Sequence, residues 1–159
     1  MKSLIVFASK YGSAEECALI LKGKLKGGAD SANCMNVKNI DGYDNVIIGS
    51  SLYAGNIHGE MKSFCKDNMD KLKEKNIGIY ICGFQKDHND LTQLEAAFPK
   101  ELTGIAKSKE YFGGALHYEK MGFIEKIIMK TLTKQKESTK YISDANISRM
   151  AKVFNELQE

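Results

Sequence analysis

The chain has 159 residues, 43% of them hydrophobic, and its formal net charge at pH 7 is +3. This length and composition suit one domain with a substantial buried core, so we expect residues 1–159 to form a single domain. Lysine supplies almost all of the positive charge, because Arg149 is the only arginine. Lysine lacks the bidentate geometry with which arginine reads base edges, which argues against sequence-specific nucleic-acid binding.

The first apolar run is too short for a signal peptide, because charged residues follow it at Lys10, Glu15 and Glu16. No stretch approaches the roughly 20 apolar residues that a membrane-spanning helix needs, so we expect a cytoplasmic protein. The cysteines form no CxxC pair and fall within predicted helices or strands, which favours reduced core thiols over metal ligands or disulfides. They are Cys17, Cys34, Cys65 and Cys82.

Apolar runs alternate with amphipathic segments along the whole chain. In chain order, the pattern predicts a strand over 2–8, a helix over 14–26, strands over 31–37 and 45–49, a helix over 61–73, a strand over 77–82, a helix over 91–107 interrupted by Pro99, a strand over 111–116, and helices over 121–133 and 144–157. Parallel strands need crossover connections, and helical crossovers cover a sheet. The sequence therefore predicts an α/β fold, a doubly wound five-stranded parallel sheet with helices on both faces.

Three loops follow predicted strands at the edge where doubly wound sheets bind ligands: 9–14, 50–56 and 83–88. The first loop, Ser9-Lys10-Tyr11-Gly12-Ser13-Ala14, connects a buried strand to the N-terminus of a helix. The first helical N–H groups have no intrahelical partner there, and the dipole end is positive. A small turn with the Ser9 and Ser13 hydroxyls at this place favours a bound phosphate.

Three common nucleotide-related or phosphate-related folds do not match this first loop. A dinucleotide-binding fold requires GxGxxG after the first strand, whereas the loop has one glycine, and the GK[ST] of a P-loop is absent. A phosphoacceptor receiver domain has acidic residues at the end of the first strand, where this chain has Phe7 and Ala8. The loop chemistry therefore disfavours all three classes.

Two stretches resemble the flavin-contacting loops of flavodoxins. These are residues 4–16, which include the first loop, and residues 47–55, which include Tyr53-Ala54-Gly55. Towards the C-terminus, residues 112–118 and 127–130 resemble the flavodoxin-like menaquinone-dependent protoporphyrinogen dehydrogenases. The similarity spans nearly the whole chain and is weakest over 85–108. It implies a flavodoxin-like sheet of strand order 2-1-3-4-5 and one noncovalently bound FMN.

The resemblance also implies which residues contact FMN. The FMN phosphate is expected to contact Ser9, Lys10, Tyr11, Gly12, Ser13 and Ala14. The alternative for Lys10 is that its side chain is solvated and does not contact the phosphate. The flavin ring is expected on Ser51, Leu52, Tyr53, Ala54, Gly55, Asn56, Gly83, Phe84 and Tyr118. Tyr53 is expected to stack on one face of the ring and Phe84 or Tyr118 on the other. Gly55 corresponds to the flavodoxin position whose peptide turns over on flavin reduction, which glycine makes inexpensive.

Histidines are the candidate proton donors or acceptors near the ring. His117, beside Tyr118, is the candidate that we rank first, although an ordinary structural role is the simpler interpretation. His88 lies on the third loop, and His58 is expected to start the following helix. The sequence shows no nucleophile–base pair, paired catalytic carboxylates or metal-ligand cluster.

The resemblance implies an FMN-dependent oxidoreductase that couples protoporphyrinogen oxidation to a quinone. The alternatives are an electron carrier that serves a redox-protein partner and a flavin-less interaction domain. The predicted helix over 121–133 and its continuation carry Lys126, Lys130 and Lys134 beside apolar residues. This pattern suits peripheral contact with the inner face of a membrane or with porphyrinogen propionates. The simpler interpretation is a sheet-covering helix with a solvated lysine edge. Compared with the dehydrogenases that it resembles, this chain has a shorter segment between the fourth and fifth strands. It also has lysine where they tend to have arginine. Both differences bear on specificity for a porphyrinogen and a quinone.

Overall fold

Strands and helices alternate along the chain in the computed structural model, which describes residues 1–84, 87, 90–116, 118–133 and 139–159. In chain order the elements are β1 (Ser3–Ala8), α1 (Ser13–Lys24), β2 (Ala29–Asn33), β3 (Asn45–Ser51), α2 (Gly59–Asp67), α3 (Met69–Leu72), β4 (Asn76–Cys82), α4 (Thr92–Ala97), α5 (Lys100–Thr103), β5 (Ser108–Tyr111), β6 (Gly113–Leu116), α6 (Phe123–Thr133), β7 (Thr139–Ile142) and α7 (Asp144–Glu156). As predicted, the helical region after β4 is interrupted at Pro99, which separates α4 from α5.

Five strands form one parallel sheet in the order β2-β1-β3-β4-β5, so the predicted fold class and strand order are confirmed. In this register Ala8 lies opposite Ser50, and Ser51 lies opposite Cys82. The carboxyl ends of β1, β3 and β4 therefore meet at one edge. The strand order reverses beside β1, because β1 has both β2 and β3 as neighbours, and this is where doubly wound folds bind their ligands.

The sheet buries an apolar core on each face, because successive side chains of a strand point to opposite sides. Val6, Ile48 and Ile79 belong to the core cluster that α2, α4 and α5 cover. Ile5 and Ile47 belong to the other cluster, which α1 and α7 cover. Helices thus pack on both faces, as the sequence predicts, and the edge formed by the strand ends stays open between them.

Close packing between β3 and β4 fixes the start of α1. A Cβ atom on Gly49 would lie 1.8 Å from the Tyr80 ring, so only glycine fits there. The buried Tyr80 ring stacks on Phe112 with 4.4 Å between centroids, and its hydroxyl donates to the Ala14 carbonyl at 2.8 Å. The first turn of α1, and with it the preceding loop, is therefore anchored to the sheet.

The predicted fifth strand over 111–116 is wrong, because this apolar run belongs to two different sheets. The fifth strand of the parallel sheet is β5, whereas β6 pairs with β7 in a separate antiparallel ribbon that the sequence did not predict. The chain changes direction at Gly113, whose φ of +78° is readily adopted only by glycine. Phe112 joins the two sheets: its N–H donates to Ile81 O at 2.9 Å and its carbonyl accepts from Ser143 N–H at 2.8 Å.

Two further boundaries differ from the prediction because asparagine side chains bond to the backbone. The second strand starts at Ala29 and ends at Asn33, whose side chain accepts from Met35 N–H at 3.0 Å and starts a short 3-10 turn. The predicted helix over 61–73 is divided at Asn68, whose side-chain amide donates to Phe64 O at 2.9 Å. Asn33 lies opposite Phe7, so the end of β2 is at the same edge of the sheet as the end of β1.

Candidate cofactor site

A cleft opens at the carboxyl ends of β1, β3 and β4. It holds about 660 Å³ of empty space, including the part that is open to solvent. The predicted site residues that line it are Lys10, Tyr11, Ser13, Ser51, Leu52, Tyr53, Gly83 and Phe84. The structure therefore brings together residues from all three predicted loops.

The first loop is shaped by the hydroxyls of two serines. Ser9 Oγ accepts from Gly12 N–H at 3.0 Å and from Ala14 N–H at 3.2 Å, which curls the loop over the start of α1. Gly12 has a φ of +91°, and the buried Ser13 Oγ accepts from Ala115 N–H at 3.0 Å. Ser9 still has its own O–H to donate, whereas the Ser13 hydroxyl bonds to the Cys82 thiol. The first turn of α1 adds N–H groups without helical partners. The loop is thus a concave set of donors at the positive end of a helix.

Lys10 is tied to α6 on the other side of the cleft. Its ammonium forms an ion pair with Glu125 and lies 5.3 Å from the Tyr11 ring centroid and 5.5 Å from that of Tyr53. The Lys10 ammonium, the Tyr11 hydroxyl and the Gly122 N–H at 3.1 Å together lower the pKa of Glu125 to about 2. This carboxylate therefore stays charged, and paired with Lys10, at any pH well above 2.

Tyr11 brings a poorly satisfied hydroxyl to the cleft, close to the Glu125 carboxylate. Its hydroxyl oxygen is buried and makes no hydrogen bond of normal geometry within the described part of the chain. Burial raises the pKa of this phenol, so it stays a neutral donor at physiological pH. A buried polar atom of this kind usually has a partner, and a bound phosphate or ribityl oxygen would supply one.

The second loop is a tight turn that follows β3. Tyr53 N–H donates to Asn56 O at 2.9 Å, and Asn56 N–H donates to Tyr53 O at 3.0 Å. Between them Ala54 and Gly55 have φ values of +48° and +76°, which is the pattern of a type I′ turn. Tyr53 is 49% exposed at the mouth of the cleft. Ala54 and Asn56 line a shallower depression beside it, which Lys10, Tyr53, Ile57, His58 and Gly59 also border.

The third loop is described in part. Gly83 N–H donates to Gly113 O at 3.0 Å, and Phe84 stands at the mouth of the cleft with 36% of its surface exposed. His88 and His117 lie outside the described residues. Tyr118 begins a short 3-10 turn, and its side chain is also outside the described part. The structure therefore gives one exposed aromatic ring from the second loop and one from the third.

Several cleft residues were not among the predicted cofactor contacts, although His58 was considered as a proton donor or acceptor near the ring. They are His58, Cys82, Ala115, Met121, Glu125 and Ile128. The position of His58 in the sequence could have indicated its place in the cleft, because a histidine shortly after the end of a strand can turn back towards that end. Glu125 carried none, because its contact with Lys10 spans 115 residues of sequence.

Cys82 brings a thiol to the wall of the cleft. Its Sγ lies 3.6 Å from the Sγ of Cys17, and both side chains are fully buried. Burial raises the pKa of the Cys82 thiol well above its usual value. All four cysteines are free and buried, in agreement with the predicted core thiols.

Several apolar side chains of α6 are exposed, whereas the sheet-covering alternative expects its apolar residues to be buried. Phe123 is 80% exposed, Ile124 71% and Ile127 51%, while Ile128 lines the cleft. Lys134 lies outside the described residues. The helix therefore presents an apolar surface next to the mouth of the cleft. Within the described part of the chain, no helix is both long enough and apolar enough to span a bilayer.

The residues present fit FMN. The first loop offers donors at a helix N-terminus for a phosphate, Tyr11 offers a buried hydroxyl that makes no hydrogen bond of normal geometry within the described residues, and Tyr53 and Phe84 offer aromatic surfaces at the mouth. The cleft is also mostly apolar, which suits a large π-system.

Comparisons with known proteins agree with this geometry. A family model described as flavodoxin domain matches residues 4–143. The protein named protoporphyrinogen IX dehydrogenase [quinone] from Escherichia coli strain K12 is 26% identical over 144 residues, which cover 84% of this chain and 80% of that protein.

Solved structures share the fold at low sequence identity. Oxidised flavodoxin 2 from Bacillus cereus superposes with a TM-score of 0.64 at 18% identity, over 99% of each chain. The rubredoxin oxygen:oxidoreductase of Desulfovibrio gigas superposes with a TM-score of 0.56 at 16% identity, and the match covers 96% of this chain. The chain spans only 36% of that larger protein. The predicted cofactor, FMN, is that of flavodoxin domains, and the family match over residues 4–143 shows that this chain belongs to the flavodoxin family.

Proposed function

We propose that this protein is an FMN-dependent oxidoreductase that oxidises a porphyrinogen and passes the electrons to a quinone. The observation that carries the proposal is the apolar entrance to the cleft. Tyr53 and Phe84 are exposed there, and Ile128 continues the entrance onto the exposed surface of α6. Apolar redox partners such as a quinone ring or a porphyrinogen macrocycle suit such an entrance. The named activity of the E. coli relative supports the same assignment at 26% identity.

FMN would be held from both ends of the cleft. The backbone N–H groups of the first loop, together with Ser9 and Tyr11 hydroxyls, would bind the phosphate, and Tyr53 would stack on the ring. The bound flavin supplies the transfer of electrons between donor and acceptor. Gly55 already has a positive φ in the turn after β3, so the peptide there can reorient without the steric cost that a side chain would add.

Charge favours the enzyme over the electron-carrier alternative. Flavodoxins that dock onto basic redox proteins are expected to be acidic, whereas this chain carries a formal charge of +3. Lys120 and Lys130 are exposed on the segment beside the cleft. Positive side chains at this place would attract the propionates of a porphyrinogen.

The same surface is proposed to rest on an anionic membrane, where a lipid-dissolved quinone can reach the cleft. Phe123, Ile124 and Ile127 would enter the interfacial region, while lysines contact the headgroups. The helix is amphipathic but is not a membrane-spanning segment, so contact would be peripheral. This arrangement explains why an apolar helix face stays exposed next to a redox cleft.

The enzyme proposal is tested with the purified protein and three measurements. We expect a yellow protein that releases about one equivalent of FMN on denaturation, oxidises protoporphyrinogen IX, and reduces a menaquinone analogue with it. A flavoprotein that only shuttles electrons between a reductase and an acceptor enzyme would instead be a carrier. A folded, colourless protein that does not take up added FMN would support the flavin-less interaction domain.

The membrane proposal is tested by sedimentation with vesicles. We expect binding to phosphatidylcholine vesicles that contain phosphatidylglycerol, weakened by salt, and little binding without the anionic lipid. The double substitution Phe123→Glu and Ile127→Glu should weaken binding by at least about tenfold, since each buried apolar side chain contributes about 1.5–3 kcal/mol. Leu19→Glu is the matched control, because Leu19 is 55% exposed on α1. Equal losses in both variants would contradict the assignment of α6.

A further inference from the structure

Ser51 and His58 form a hydrogen-bonded pair inside the cleft. Ser51 Oγ lies 2.9 Å from His58 Nε2, and both residues line the cleft. The ring is held in place because Ser50 Oγ accepts from the His58 backbone N–H at 3.3 Å and because His58 precedes the first residue of α2. The pair therefore stands at the carboxyl end of β3, beside the loop that carries Tyr53.

His58 also borders the space outside the cleft. It lines the shallower depression formed by the turn after β3, which is open to solvent. Its other ring nitrogen, Nδ1, is 4.0 Å from Glu60 Oε1, on a side chain that is 37% exposed. One nitrogen of the ring thus faces a hydroxyl of the cleft, and the other faces a carboxylate near the surface.

The surrounding charges indicate which nitrogen carries the proton. The Glu60 carboxylate favours a proton on Nδ1, so Nε2 is left to accept a hydrogen bond from the Ser51 hydroxyl. Lys10 and Glu125 are the other charged groups of the cleft, and they are paired with each other. Tyr11 and Cys82 stay neutral because burial raises the pKa of each.

We propose that Ser51 and His58 form a proton relay that takes the proton lost by the electron-donating substrate. This inference rests on the proposed function. A donor that gives up a hydride, with the two electrons that bound FMN would accept, must also release one proton. The Ser51 oxygen accepts that proton while its own passes to His58 Nε2, and the resulting imidazolium is stabilised by Glu60. His58 then returns a proton to solvent through the open depression. Ser51 would contact the substrate, and His58 acts through it.

The first test uses flavin-free protein and nitrogen NMR of the imidazole rings. The neutral His58 ring should carry its proton on Nδ1, and Ser51→Ala should shift the Nε2 resonance because its hydrogen-bond donor is lost. A ring protonated on Nε2 would overturn the relay, because Nε2 could not accept a proton. This result does not depend on FMN, quinone or porphyrinogen, so it separates failure of the relay from failure of the proposed function.

The second test measures flavin reduction by protoporphyrinogen IX in rapid-mixing experiments. His58→Ala and His58→Gln should slow reduction by about 100-fold, which is the lower range for loss of a general base, while FMN affinity changes by less than about threefold. Added imidazole should restore the rate of His58→Ala, with the rate rising with the concentration of the free base. Lys62→Gln, an exposed position on α2, is the control. Normal reduction in both His58 variants, or no rescue by imidazole, would overturn the relay.

Discussion

Replacing Ser9 with aspartate is expected to weaken FMN binding by about 100-fold while the protein stays folded. The aspartate carboxylate can accept hydrogen bonds from the N–H groups of Gly12 and Ala14, as Ser9 Oγ does now. The loop therefore keeps its shape. The substitution nevertheless adds a negative charge beside the expected phosphate site. Two like charges about 4 Å apart at an effective dielectric constant of about 20 repel by about 4 kcal/mol. This repulsion is larger than the free-energy difference that a hundredfold change in affinity represents.

Flavin titrations followed by fluorescence quenching would measure this effect. Ser9→Asn is the matched control, because it has nearly the same shape without the charge, and it should bind FMN within about fivefold of the wild type. Riboflavin, which lacks the phosphate, should bind Ser9→Asp and the wild type about equally. If Ser9→Asp kept its FMN affinity, the phosphate would have to lie elsewhere. An equal loss of riboflavin would show that the loop itself had collapsed.

Gly49→Ala is expected to destabilise the protein by about 3 kcal/mol, the upper end of the usual range for overpacking a core. The added methyl group would lie 1.8 Å from the Tyr80 ring, and that ring cannot move away freely. It is fully buried, stacks on Phe112 and donates to the Ala14 carbonyl. The substitution should therefore also loosen the start of α1 and weaken FMN binding.

Urea denaturation followed by far-ultraviolet circular dichroism would measure the free energy of unfolding. Gly23→Ala is the matched control, because nothing lies within 4 Å of a Cβ atom at Gly23 in α1. It should stabilise the protein by about 0.5–1 kcal/mol, the advantage of alanine over glycine within a helix. A Gly49→Ala protein as stable as the wild type would mean that the packing around Tyr80 adapts to the added methyl group.

The fold could be predicted from sequence because its main signals are local. Runs such as Ile47-Ile48 are apolar on both sides, as strands buried on two faces must be, and the amphipathic segments between them supply the covering helices. The position of the cleft followed from topology, since the loops after β1, β3 and β4 meet at one edge. Eight residues predicted from those loops do line the cleft.

What the sequence could not show depends on contacts between distant residues. β5 contains Lys109 and Glu110, which look unsuited to a strand of the main sheet. Glu110 is buried there beside Arg149, 39 residues away, at 3.0 Å. The apolar pattern of α6 is also that of an ordinary core helix, and only the structure shows that Phe123 and Ile124 are exposed. No local pattern distinguishes these cases.

The buried pair Cys17 and Cys82 bears on how the protein tolerates oxygen. Reduced flavins generate hydrogen peroxide when they meet oxygen, and peroxide oxidises thiolates far faster than neutral thiols. Cys82 stands in the cleft wall, yet burial raises its pKa well above the usual value and keeps the sulfur protonated. A side chain close to the source of damage is thus protected chemically by the same apolar surroundings that hold the sheet together.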